Sequence, residues 1–301
     1  MNKKLWASLS LVFVISGCPV SEQKKLSTDN LNAAVIAFKF TVEPDKDDPD
    51  SANVYVDGTV ADKPYRFRLD TGAGRTSIAF DEFTSSFKVV GTKHSAGAFA
   101  KTHDNLIEVP QVQVGTLSQS PATVVRMPKN ANNRANLLGM DFLKNYALYF
   151  QYDREQVKVV DTEKFQDNFL ELFLGENGHP YVDLSWGAGV DAIGVWDTGA
   201  GITVFDSRFM KKHPDLFTKV GTSIGTDSSG TTQETPVYLL KAFTLGGMQF
   251  SAIRTVVIDL SVPNSTIKTP MDFILGHNVL RKANWVFDFP RKKWAISTML
   301  E

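Results

Sequence analysis

Apolar and polar positions divide this chain into three stretches. Leu5–Ile15 is a mainly apolar stretch, broken only by Ser8 and Ser10, behind two lysines, Lys3 and Lys4. Ser21–Asn32 is polar, with lysines near its start. From residue 33 on, apolar residues recur at every second position or in short unbroken runs, and helical spacing is confined to brief segments. Period-two alternation turns one face of a strand to a core and the other to solvent, so this body predicts a mainly β protein with short helices. Ala33–Val42 reads as the first strand. Glu43–Asp50, with four aspartates and two prolines, reads as a solvated turn. It lacks the glycine and distal glutamate of an EF-hand, so a calcium loop is the weaker reading.

The body then passes twice over one plan. Asp-Thr-Gly-Ala-Gly stands at 70–74 and again at 197–201. Each copy follows an apolar run. Val54-Tyr55-Val56-Asp57 precedes the first copy at nearly the distance by which Pro180-Tyr181-Val182-Asp183 precedes the second. Phe-Asp follows each copy, at 80–81 and 205–206, with the aspartate placed to cap a short helix. Val-Gly-Thr comes next, at 90–92 and 220–222. Each half then carries apolar-apolar-Gly with a short helical signal, Leu137-Leu138-Gly139 and Ile274-Leu275-Gly276, and ends in a strand hairpin. Landmarks in the same order at near-constant offset predict two homologous β-rich lobes, residues 33–162 and 163–301.

Length and composition fit this division. The chain has 301 residues with 43% hydrophobic content, enough for one large or two medium cores. A net charge of −1, with no basic cluster interleaved with aromatics, offers no field for nucleic acid. The single cysteine, Cys18, leaves no intrachain disulfide, no CxxC zinc site and no thiol nucleophile in the body. The five histidines lack metal-ligand spacing.

The amino-terminal run has the form of an export signal and is short for a permanent membrane span. Ile15-Ser16-Gly17-Cys18 resembles a bacterial lipobox. The resemblance implies a signal peptide over residues 1–17, cleavage before Cys18, lipidation of Cys18, and a tether over residues 18–32. Multiple acyl chains anchor stably, since each buried methylene adds about 0.8 kcal/mol. Pro19, where an aspartate would signal retention, implies the outer membrane of a bacterial envelope, facing the periplasm or the cell surface. The alternative is an ordinary signal peptide in which Cys18 has no role.

Asp-Thr-Gly-Ala paired with a downstream apolar-apolar-Gly, twice in one chain, resembles the signature of aspartic peptidases of the pepsin and retropepsin group. The resemblance implies two homologous β-barrel-like lobes of the pepsin and retropepsin type with a substrate cleft between them, and a catalytic pair, Asp70 and Asp197, acting on peptide or protein substrates without metal or organic cofactor. Two adjacent carboxylates cannot both ionise cheaply, so one keeps a proton while the other activates water. Gly72 and Gly199 let the backbone turn its N–H groups toward the carboxylates. Thr71 and Thr198 are, by the resemblance, the hydroxyls that bond across the lobe interface. Ala73 and Ala200 stand where pepsins carry Ser or Thr, which is closer to retropepsins. The second glycines, Gly74 and Gly201, have no role assigned by the motif. Because both lobes lie in one chain, a monomer suffices.

Several features remain open at this level. Lys93–Asp104 and Gly225–Thr232 read either as two flaps over the cleft or as plain surface hairpins, and the first lacks the tyrosine of a pepsin flap. Arg75 follows the first motif where Ile202 follows the second; it reads as a surface ion pair, with a bias toward acidic substrates as the alternative. His277, beside Gly276, reads as a packing residue. Gly221-Thr222-Ser223-Ile224-Gly225 matches a nucleophile elbow, but the sequence after it is a poor helix start. The function classes in play are a membrane-anchored aspartic endopeptidase, a catalytically silent peptide-binding lipoprotein of the same fold and, a distant third, a serine hydrolase.

Overall fold

The computed structural model describes residues 31, 34–131, 134–163 and 169–300. The signal-peptide reading of residues 1–17, the lipidation of Cys18 and all but residue 31 of the proposed tether lie outside the described residues. Among the described residues no helix is long and apolar enough to cross a membrane.

Strands form where alternate side chains enter a core. In Ala52–Val60 the buried residues include Val54, Val56 and Val60, and in Lys63–Leu69 they are Phe67 and Leu69. These two strands meet at Ala61 and Asp62, whose φ angles of 45° and 65° give the backbone of a tight two-residue hairpin. The strand Lys63–Leu69 delivers the chain directly to Asp70.

Two ten-stranded sheets, one per half, have the same strand order. In the first, Leu137–Leu138 is threaded between Lys63–Leu69, to which it runs parallel, and Ser77–Ile78, to which it runs antiparallel. In the second, Phe273–Leu275 lies in the same way between Asp191–Trp196 and Val204–Asp206. The apolar-apolar-Gly segments are therefore central strands, inserted between the strand entering each Asp-Thr-Gly loop and the strand leaving it. The molecule is mainly β, with two curled half-barrel sheets as lobes.

A third, six-stranded sheet belongs to both halves. Its seam is the antiparallel pairing of Ala147–Gln151 with Ala283–Asp288. Val35–Lys39 lies on one edge and Leu170–Glu171 on the other. The core behind the seam is aromatic. Trp196 packs tilted against Phe287, ring centres 4.4 Å apart, and edge-on to Phe150 and Trp285. Trp196 is the residue before Asp197, so the second Asp-Thr-Gly loop is seated on the packing that joins the halves.

Two expectations are corrected. Ala33–Val42 is not one strand. The chain breaks at Phe40, which is buried against Tyr152, so that Val35–Lys39 joins the shared sheet while Thr41–Pro44 pairs with Ala52–Val60. The aspartate-rich turn is not simply solvated. Asp48 is 5% exposed, and Arg254 of the other half reaches Asp48 at 2.7 Å and Asp50 at 3.1 Å. Burial of an acidic side chain is tolerable here because a guanidinium neutralises it with directed hydrogen bonds.

Candidate active site

The two Asp-Thr-Gly loops face each other at the junction of the lobes. Each aspartate donates its backbone N–H to the threaded strand, Asp70 to Leu138 and Asp197 to Leu275, both at 3.0 Å. The threonines tie the loops together reciprocally. Thr71 N–H donates to Thr198 Oγ1 and Thr198 N–H to Thr71 Oγ1, both at 3.1 Å. Their hydroxyls donate across the interface to the carbonyls of Trp196 (2.7 Å) and Leu69 (2.8 Å). Four buried hydrogen bonds thus fix the separation of the loops without using either carboxylate.

The glycines explain themselves by contact. A Cβ on Gly72 would strike the Asp197 carboxylate, and one on Gly199 would strike that of Asp70. The second glycines, unassigned from sequence, touch the opposite half. A Cβ on Gly74 would lie 2.7 Å from Asn177 Cβ, and one on Gly201 would lie 2.5 Å from Ser51 Oγ. They are the points at which each loop passes beneath a hairpin turn of the other lobe.

A second tier of hydrogen bonds repeats in both halves. Thr76 Oγ1 accepts Gly139 N–H, and Thr203 Oγ1 accepts Gly276 N–H, each at 3.1 Å. Asp141 Oδ1 accepts from the Thr76 backbone and hydroxyl, and Asn278 Oδ1 accepts from those of Thr203. Burial raises the Asp141 carboxyl above its usual range.

The carboxyls of Asp70 and Asp197 lie close enough for each to shift the other's titration, and their surroundings differ. Asp197 Oδ1 accepts two backbone N–H groups, from Gly199 at 2.8 Å and Gly72 at 3.0 Å. Burial lifts both carboxyls. Asp70 is pushed well above the usual range, first by burial and then by the charge of Asp197. Asp197 is raised by burial but held back by its two N–H donors. Hydrogen bonds to a carboxylate favour its ionised form, so the shared proton favours Asp70 and the charge favours Asp197, although the pair titrates as one unit.

The two candidate flaps are real hairpins, and their tips touch. Val89–Ala96 pairs with Lys101–Val109, and Phe217–Thr226 with Thr232–Leu240; each has a bulge beside the glycine of its Val-Gly-Thr. Asp227 Oδ2 accepts Phe99 N–H at 2.7 Å, and Gly97 lies flush against the same carboxylate. Asp227 Oδ1 is engaged by the N–H groups of Ser229 and Thr231, at 3.0 and 3.2 Å. A cavity lined by Arg68, Ala135, Leu137, Thr226, Asp227 and Ser228 opens between this tip and the strand carrying Asp70.

Arg68 and Asp227 were not singled out from the sequence. Strand alternation carried a signal for the first: Phe67 and Leu69 point to the core, so Arg68 shares the other face. Its charge lowers the titration of both Asp70 and Asp197. No local signal marked Asp227, whose partner lies 128 positions away.

The remaining sequence candidates fall elsewhere. Arg75 stands in no ion pair among the described residues, because its Nη1 donates instead to the Thr123 carbonyl at 3.1 Å. His277 is buried, packs edge-on to Tyr152 and is pushed down to about 4 by burial and by Arg281. Ser223 lies within the strand Phe217–Thr226, so the strand-to-helix turn of a nucleophile elbow is absent there. No cluster of three or more metal-ligating side chains occurs among the described residues.

Residues 56–145 match the family described as gag-polyprotein putative aspartyl protease. The matched segment contains the first Asp-Thr-Gly loop, the first hairpin flap and Leu137-Leu138-Gly139. It supports an aspartic peptidase of the retropepsin-like family. No curated protein matches the chain.

Proposed function

We propose that this protein is an aspartic endopeptidase anchored through Cys18 to a bacterial envelope membrane. The observation that carries the reading is the Asp70–Asp197 pair, held by a reciprocal threonine bridge and placed in unequal electrostatic surroundings. Asp197, ionised, takes a proton from a water between the carboxyls. Asp70, protonated, polarises the scissile carbonyl. As the tetrahedral intermediate collapses, a carboxyl proton passes to the leaving nitrogen. The flap tips exclude bulk water, which strengthens these interactions. Both carboxyls come from one chain, so one copy supplies the whole pair.

The test is a soluble form starting after Cys18, incubated with a diverse peptide mixture from acidic to neutral pH and read by mass spectrometry. Asp70→Asn and Asp197→Asn should each lower cleavage by about 10²–10⁴-fold. Cleavage that survives both substitutions contradicts the pair. The contact between the flap tips favours a second reading, a peptide-binding lipoprotein without turnover. Peptide binding by folded wild type, with no cleavage at any pH, would select it.

A further inference from the structure

The strand that leads into the first Asp-Thr-Gly loop carries a cation, Arg68, which lies in no ion pair among the described residues, where the strand leading into the second carries valine. The register places Tyr55, Arg68 and Leu137 side by side in the first lobe, and Tyr181, Val195 and Ile274 in the same arrangement in the second. Val195 is buried in a cluster with Tyr181, Leu260 and Met271. Its counterpart is a half-buried guanidinium lining the cavity below the second flap tip.

A guanidinium offers five N–H donors in a planar fork. Here Nη2 makes one long bond to Tyr55 Oη at 3.4 Å, and Nε is closed off from solvent with no acceptor. Among the described residues Arg68 is in no ion pair. Neighbouring Arg66 takes Glu43 at 2.7 Å. The one carboxylate lining the same cavity, that of Asp227, has both oxygens engaged by the flap. A cation with free donors facing a cavity is a receptor for an anion, and a planar fork suits a carboxylate.

We propose that Arg68 forms a carboxylate-recognising subsite beside the aspartate pair, so that preferred substrates carry an acidic group on that side of the cleft and an apolar or neutral one on the other. The carboxylate is an Asp or Glu side chain or the carboxyl terminus of the peptide. The subsite rests on the peptidase reading and deepens it.

A matched peptide series tests it. Glu and Gln alternate at each position flanking a cleavage site, and each peptide is made with a free and an amidated carboxyl terminus. At one position the acidic peptide should exceed its Gln isostere in kcat/KM by about tenfold or more, as expected for a charge-assisted hydrogen bond. Loss of the preference on amidation would assign it to the terminal carboxylate; retention would assign it to the side chain. In Arg68→Gln the acidic-to-neutral ratio should fall to about one. The ratio is read within each variant, so any effect of the lost charge on Asp70 and Asp197 cancels. Should that variant fail to fold, Arg68→Lys, which keeps charge without the fork, should show a reduced ratio. A ratio near one in wild type, or one unchanged in Arg68→Gln, overturns the subsite while leaving the peptidase intact. Failure of wild type to cleave any peptide overturns both.

Discussion

The first lobe has Arg68 where the second has Val195, Asp141 where it has Asn278, Met140 where it has His277, and Arg75 where it has Ile202. The backbone around these positions is almost superfluous to compare: the threaded strand, the threonine bridge, the Gly139 and Gly276 N–H bonds and the donation of Met140 and His277 N–H to the alanine carbonyls, both at 2.8 Å, all occur twice. Duplication has kept what positions the carboxyls and changed what surrounds them. The difference reaches the pair itself, where Gly72 and Gly199 both donate to Asp197. A symmetric scaffold can therefore hold an asymmetric acid and base, because proton placement depends on a few donors and charges rather than on the fold.

The repeated features should be costly to alter. Gly74→Ala and Gly201→Ala each force a methyl group into the opposite lobe and should each destabilise by about 1–3 kcal/mol. Gly221, beside which a Cβ meets nothing within 4 Å, is the control, and Gly221→Ala should leave the unfolding midpoint close to wild type. Denaturant titration of the three variants separates lobe contact from generic loss of glycine.

The unequal flaps offer a smaller effect. Only the second tip supplies a carboxylate to the other. Asp227→Ala removes the acceptor of Phe99 N–H and three internal bonds of its own tip. Loss of the tip contact, worth about 1 kcal/mol, should raise KM several-fold with less change in kcat. Equal loss in both parameters would place Asp227 in the chemistry instead.

A further effect, confined to acidic pH, concerns His277. Its folded pKa of about 4 lies below the unfolded value of 6.5. Between those values the unfolded chain binds more protons, so His277 removes stability as pH falls from 6.5 toward 4. His179, also near 4, acts in the same direction. The raised carboxyls of Asp70 and Asp197 act oppositely, because the folded state holds their proton more tightly and loses stability as pH rises through the pair's upper titration. His277→Met, which copies the first lobe, should flatten the loss of stability across pH 6.5 to 4, measured by thermal melts at fixed ionic strength. An unchanged slope would mean that His277 does not titrate in this window.

Much of this arrangement was legible in the sequence because a repeated motif reports on itself. The order and offset of the repeated landmarks exposed both Asp-Thr-Gly loops and both apolar-apolar-Gly segments, the resemblance to aspartic peptidases pointed to Asp70 and Asp197, and strand alternation carried the β character; that the apolar-apolar-Gly segments are central strands came from the pairing. What was not legible depended on contacts between distant segments. The break at Phe40 follows from its packing on Tyr152, the burial of Asp48 from Arg254 more than two hundred positions away, and the role of Gly74 and Gly201 from turns in the opposite half. Arg75 misled for the same reason: its asymmetry was visible, but the Thr123 carbonyl that satisfies it was not, and the cation facing the cavity is Arg68.

The central claim is that Asp70 and Asp197 hydrolyse peptides as one unit sharing a proton. The pH dependence of kcat/KM for a single cleaved peptide tests it most directly. A bell-shaped profile is predicted, with its upper limb above the range of an isolated carboxyl and with activity lost across the profile in both Asp70→Asn and Asp197→Asn. A profile with one limb near the ordinary carboxylate value, or full activity retained in either variant, would contradict it.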